Sequence, residues 1–431
     1  MTTRERVSGV RSGRWGRAVR LAVALLLGAG IGLSAAPPVS AEKTKEGEKE
    51  KERRNFAAGQ WAFEKLSAAH EALAEENFDE ARALMDQMSK RKSLNDHEKA
   101  LMWQTYAYIQ SSREQYPQAI ESFEKCLALD ALPEAAMLGT QYNLGQLYMS
   151  VERFEDAVRV LEDWLGRVEN PSPNAYYLVS MAHVQLEDAK SALPYAKKAV
   201  ELSKKPVESR LQLLLALEFE LKHYEQVAGV LEVLITHFPK KSYFLQLSAV
   251  YGELGREKRS LSALELAYIQ GLLDRESEVL NLAQSYLYHD VPYRAAQVLA
   301  KGLADGIVEE DAEHWKLLGD SWLHAREYDA ALQPLQRAAA LSDDGNLFVR
   351  IGQVHMERDE PKEARAALEK GLSKGGLDNP GNAYLLLGIT HADARRLSAA
   401  RDAFTKAGEY EKSRKAARAW IGHVERQEAI Q

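Results

Sequence analysis

Eleven histidines, one cysteine and 63 acidic side chains are the raw material for acid–base, nucleophilic or metal chemistry in these 431 residues. Their spacing organises none of it. No glycine-rich loop ends in Lys-Ser/Thr to cradle a phosphate, no His-Glu-x-x-His sets two imidazoles on one helix face, and no Gly-x-Ser-x-Gly raises a serine on a nucleophile elbow. Cys126 has no second thiol to pair with and cannot build a thiolate zinc site; it reads as a small buried hydrophobe. His183, His355 and His391 stand at the equivalent place of three separate segments, where aromatic packing explains them better than metal ligation. The run Glu309-Glu310-Asp311 offers the oxygens that calcium takes, but reads as a solvated acidic loop. The basic pairs Lys197-Lys198, Lys204-Lys205 and Arg395-Arg396 are too sparse, against a net charge of -7, to hold nucleic acid or anionic lipid. The expectation is a protein that is not an enzyme and holds no metal or cofactor.

What remains is the chemistry of recognition, and that depends on the elements that carry it. Hydrophobic residues make up 45% of the chain and charged residues 28%, ordinary values for a chain that buries a core. Alignment on a small residue gives Ala69, Ala107, Gly145, Ser180, Leu215, Ser248, Ala283, Gly319, Gly352 and Gly388. Twelve residues after each comes a second, mostly small one: Ala81, Ala119, Ala157, Ala192, Val227, Ser260, Ala295, Ala331, Ala364 and Ala400. The second series advances by 33 to 38 residues, the length of one helical hairpin. A large residue stands four before the first small one (Trp103, Phe244, Trp315, Phe348, Tyr384) and another three after it (Tyr148, Tyr251, Tyr286, Trp322). That is helical periodicity, and it predicts two short helices whose backbones approach only where side chains are small. Pro133, Pro171, Pro206 and Pro239 close the second helix of their hairpins. Leu215 and Val227 are too large for their places, so the fifth hairpin is expected to pack with altered spacing.

These residues resemble the tetratricopeptide repeat, whose pattern of Trp, Leu-Gly, Tyr, Ala, Phe, Ala and Pro they follow about ten times between 57 and 412. The resemblance implies an all-α, right-handed superhelical solenoid, with SRKAARAWIGHVE opening a C-terminal capping helix and tail at 413–431. It also implies a concave face made by the first helices. At the positions that line it stand Tyr108, Tyr142, Gln146, Met149, Tyr177, Met181, Gln212, Phe219, Gln284, Leu287, Tyr288, Gln353 and Met356. Aromatic, thioether and amide side chains suit a peptide or a partner helix, because they give contact area at low entropy cost and hydrogen bonds to a backbone. Related repeats hold a terminal carboxylate with lysine and asparagine. The position after the small residue carries no asparagine here, and Lys316 stands almost alone, so such a clamp is not expected.

Ahead of the repeats, Arg4, Arg6, Arg11, Arg14, Arg17 and Arg20 precede an apolar run from Leu21 to Ala36, then Pro37-Pro38 and Val39-Ser40-Ala41. This is the order of a secretory signal over 1–41, with cleavage after Ala41. Its loss takes away six arginines and one glutamate and leaves a charge of -12. An uncleaved anchor is the competing reading, since the run is just short of a membrane span. Residues 42–56 open with EKTKEGEKEKERR and read as a solvated linker. Either reading places the body in the periplasm, free or tethered to the inner membrane.

A narrower resemblance covers residues 268–309, LSDDGNLFVRIGQ, KGGLDNPGNAYLLLG and SRKAARAWIGHVE. These stretches look like exported repeat proteins of TonB-type energy-transduction clusters, which implies TonB, ExbB or ExbD components as protein partners. The expected function is a non-catalytic scaffold that binds partners along the concave face. The alternative is a periplasmic chaperone or assembly factor for outer-membrane or secretion machinery.

Overall fold

The computed structural model describes residues 58–428, and the expected leader and charged linker lie outside them. The chain divides into two compact units, Met1–Phe238 and Pro239–Gln431. Among the described residues there are 21 helices and no strand. The first unit holds five hairpins: α1 (Gln60–Ala74) with α2 (Phe78–Ser89), α3 (Asp96–Ser112) with α4 (Tyr116–Ala128), α5 (Glu134–Ser150) with α6 (Phe154–Arg167), α7 (Pro173–Gln185) with α8 (Ala189–Glu201), and α9 (Glu208–Glu220) with α10 (Tyr224–His237). The second holds five more: α11 (Lys241–Glu253) with α12 (Glu257–Ile269), α13 (Glu276–Tyr288) with α14 (Pro292–Ala304), α15 (Ala312–His324) with α16 (Tyr328–Leu341), α17 (Gly345–Glu357) with α18 (Pro361–Lys374), and α19 (Pro380–Asp393) with α20 (Leu397–Glu409). A single helix, α21 (Glu411–Glu428), packs on α20. Within each unit every hairpin stacks on the next in chain order, so each unit is a helical-repeat stack.

The two small-residue series mark where paired helices touch. A Cβ at Gly319 would stand 2.6 Å from Leu335 Cγ, and one at Gly352 2.7 Å from Leu368 Cγ, closer than carbon atoms tolerate. Where serine replaces glycine or alanine its hydroxyl is satisfied locally. Ser180 Oγ donates to the Ala192 carbonyl at 3.0 Å, and Ser248 and Ser260 share a hydroxyl pair at 2.9 Å. Leu215 and Val227 are both buried, and the helices of their hairpin meet less closely than those of any other hairpin, because two branched side chains hold the backbones apart. The four prolines lie a few residues beyond the ends of α4, α6, α8 and α10, where they bar the helix from continuing.

All ten hairpins turn in the same way. The second residue after each first helix lies in the left-handed region, at φ of 55 to 67°: Glu76, Glu114, Glu152, Glu187, Lys222, Gly255, Asp290, Arg326, Asp359 and Arg395. The N–H one residue further on reaches back to a carbonyl five residues before it, as from Arg153 to Tyr148 at 2.9 Å and from Glu327 to Trp322 at 2.9 Å. This closure satisfies carbonyls that the helix end leaves open. Only one of the ten positions is glycine.

Candidate protein-binding surface

In the first unit the expected recognition residues are largely consumed by packing between repeats. Tyr142 is 9% exposed, its ring centroid lies 4.9 Å from that of Trp164, and its hydroxyl bonds Asn174 at the start of α7. Tyr177 repeats the device one hairpin on, bonding Ser209 of α9, and burial raises both phenols. Tyr108 accepts a hydrogen bond from Asn143 Nδ2 at 3.4 Å and meets Phe123 edge-on. Gln146, Met149 and Met181 are buried, Met149 to 2% exposure. Buried side chains present little surface to a partner, and Tyr142 acts as a joint between its hairpin and the next. The lining rule places a residue on the first helix but does not register how closely the next repeat lies against it. Gln212 and Phe219 are half-buried, with Phe219 edge-on to Tyr224 at 6.3 Å.

A second set of joints was not expected from the sequence. The residue three after the small position pairs with the fifth residue after the small position on the preceding second helix. Tyr148 donates to Glu124 at 2.6 Å, His183 bonds Glu162 at 2.9 Å, and Tyr286 bonds Glu265. The fourth case inverts the charges, with Lys197 donating to Glu218, which is 1% exposed and also bonds His223 at 2.6 Å. His183 also stacks on Tyr195, at a centroid separation of 5.6 Å. The signal was present: an acid at 124, 162 and 265 or a lysine at 197 recurs at one register.

The second unit offers the accessible face. Gln284 is exposed, Tyr288 is 75% exposed, and Leu287, Gln353 and Met356 are half-buried. Between α13 and α17, which carry them, lies α15, with Lys316, Asp320, Leu323 and His324 along one face. Asp320 accepts from Arg350 Nη1 at 2.6 Å; burial pushes its carboxyl up, while Arg350, Lys316 and His324 pull it down. The lining rule passed over Arg350, which stands two before its small residue.

The remaining candidates for chemistry are dispersed or occupied. His183, His355 and His391 lie in separate repeats; His355 bonds Glu360 at 2.6 Å. Asp311 caps α15 by accepting from the His314 N–H at 2.7 Å, and Glu310 pairs with Arg337 at 3.3 Å. Among the described residues no three acids, histidines or cysteines gather closely enough to hold a metal. Cys126 is buried, and burial pushes its thiol up to about 12, far from the thiolate a nucleophile needs.

Two profiles of the tetratricopeptide repeat match the chain, one at 142–206, 280–346 and 349–421 and the other at 100–131. No curated protein matches it. Similar solved structures include the crystal structure of MamA, 24% identical over 39% of this chain and 97% of that one, with a TM-score of 0.34. YrrB, described as a repeat protein with an unusual peptide-binding site, is 23% identical over 38% of this chain and 83% of its own, with a TM-score of 0.32. A repeat protein from Parabacteroides merdae is 16% identical over 69% of this chain and 100% of its own, with a TM-score of 0.36. The matched segments together make up more than half of the residues and fall on the hairpins described above, so the chain belongs to the tetratricopeptide repeat family.

Proposed function

We propose that the protein is a non-catalytic scaffold of the bacterial envelope that binds a partner protein on the first helices of its second unit. The observation that carries this reading is the open face around Tyr288, where exposed Tyr288 and Gln284 stand beside half-buried Leu287 on α13, and Gln353 and Met356 repeat the amide and apolar positions on α17. Large apolar groups left in water favour a partner that removes them from it. The export reading rests on the arginine-rich start, the apolar run and Val39-Ser40-Ala41. It is tested by mass spectrometry of the protein from envelopes: an N-terminus at Glu42 supports release into the periplasm, and an intact Met1 end supports a tether.

The narrower resemblance of residues 268–309 and the later stretches directs the search for partners to TonB, ExbB and ExbD homologues. Affinity purification of the tagged chain from gently solubilised envelopes, with Tyr288→Ala as control, is the test. Recovery of those homologues, lost in the variant at unchanged helicity, supports an energy-transduction role. Enrichment of outer-membrane or secretion components instead moves the role to chaperoning or assembly, and capture unaffected by Tyr288→Ala removes this face.

A further inference from the structure

Lys316 is half-buried and is not among the lysines seen in ion pairs, such as Lys197 with Glu218, Lys241 with Asp274 and Lys374 with Asp343. It lies one turn before Asp320 and two turns before His324 on the face of α15 that stands between Tyr288 and Gln353. Arg350 reaches the same place from α17 and is held there by Asp320 at 2.6 Å. Two permanent cations and a histidine therefore converge on one half-buried carboxylate, Asp320. Glu313 is exposed three residues before Lys316 at the start of α15, and Glu357 is engaged by the Tyr328 hydroxyl. Asp320 is shared between Arg350 and Lys316, so an incoming carboxylate gives Lys316 a counter-ion of its own.

We propose that the partner segment carries an acidic side chain, aspartate or glutamate, flanked by apolar residues. Its carboxylate is received by Lys316 with Arg350 beside it, and its apolar neighbours lie against Leu287, Tyr288, Leu323 and Met356. This rests on the binding role proposed above and specifies its chemistry. It differs from a terminal-carboxylate clamp, because the face continues on both sides of Lys316 and a segment can pass across it.

The test is selection of random twelve-residue peptides, displayed with both ends joined to the carrier, against the full chain, beside a second library with free C-termini. The expected result is enrichment, in the end-blocked library, of peptides with one acid at a fixed place among Leu, Met or Tyr. Changing that acid to its amide then weakens binding to the native chain about tenfold but to Lys316→Gln less than twofold. Peptides enriched without an acid, and lost in Tyr288→Ala, overturn the carboxylate site and leave the face standing. Enrichment confined to free C-termini also overturns it, in favour of a terminal clamp. No enrichment over an unrelated helical protein overturns the binding role itself.

Discussion

His391 occupies the place that tyrosine holds at Tyr148, Tyr251 and Tyr286, and the exchange has an electrostatic consequence. Its Nδ1 is buried without a hydrogen-bond partner, and burial lowers its pKa from the ordinary 6.5; Arg365 and Arg396 lower it further, against Glu369. The folded state therefore binds a proton there less readily than the unfolded chain does. Below about pH 6.5 the unfolded state holds the extra proton, and stability falls with pH until the folded histidine also titrates. His391→Tyr removes this loss. Denaturant unfolding should show the variant gaining on the native chain as pH drops from 7.5 to 5, and parallel curves would assign the acid sensitivity elsewhere. His183, at the same register, bonds Glu162 and stacks on Tyr195 instead of facing arginines.

At the scale of the helical hairpin, the constant feature is the turn. An L-residue in the left-handed region is strained by contact of Cβ with its own carbonyl, and nine of ten turns accept this strain. Glu152→Gly and Arg326→Gly should each stabilise the protein by about 0.5–1 kcal/mol, while Gly255→Ala should destabilise it by about 1 kcal/mol, read as shifts in the urea midpoint at constant slope. Opposite signs would mean that these side chains contribute contacts that outweigh the strain. The turns also show what the sequence left unread. The helices were legible because the small residues and the aromatics three after and four before them recur with period, and a close helix crossing demands small side chains. Glycine, the usual mark of a left-handed turn, is absent from nine of the ten, so nothing local announced them. The candidate face was legible by position but not by exposure: Tyr142, three before Gly145, and Tyr288, five after Ala283, both read as lining, yet one packs on Trp164 and Asn174 while the other is left in solvent. Alanine at Tyr142, Tyr177 and Phe219 together would therefore cost stability as well as any binding, whereas Tyr288→Ala isolates the surface.

For the whole molecule, stability is a sum of terms between neighbouring hairpins, and each stack needs its last apolar face covered. In the second unit α21 does this. Trp420 stacks on Phe404 with centroids 5.5 Å apart and planes 12° from parallel, Ala417 and Val424 are fully buried, and Arg401 pairs with Glu428 at 2.8 Å. Removing residues 411–431 would leave Phe404, Leu397 and the half-buried Leu385 and Ile389 without that cover. At about 25 cal/mol per Å² of apolar surface, uncovering them costs about 3 kcal/mol or more. The loss belongs to nearest neighbours, so it should fall on α19 and α20 first and fade along the second unit. Hydrogen exchange followed by mass spectrometry reads this directly: amides of α19, α20 and then α17 and α18 should exchange faster in the truncated chain, while those of α1 to α10 keep their protection. Equal loss across residues 58–238 would show that the two units unfold as one cooperative body. The face proposed to bind a partner lies on α13, α15 and α17, inside the second unit and away from its end, so binding at Tyr288 should survive the truncation wherever α13 and α15 remain protected.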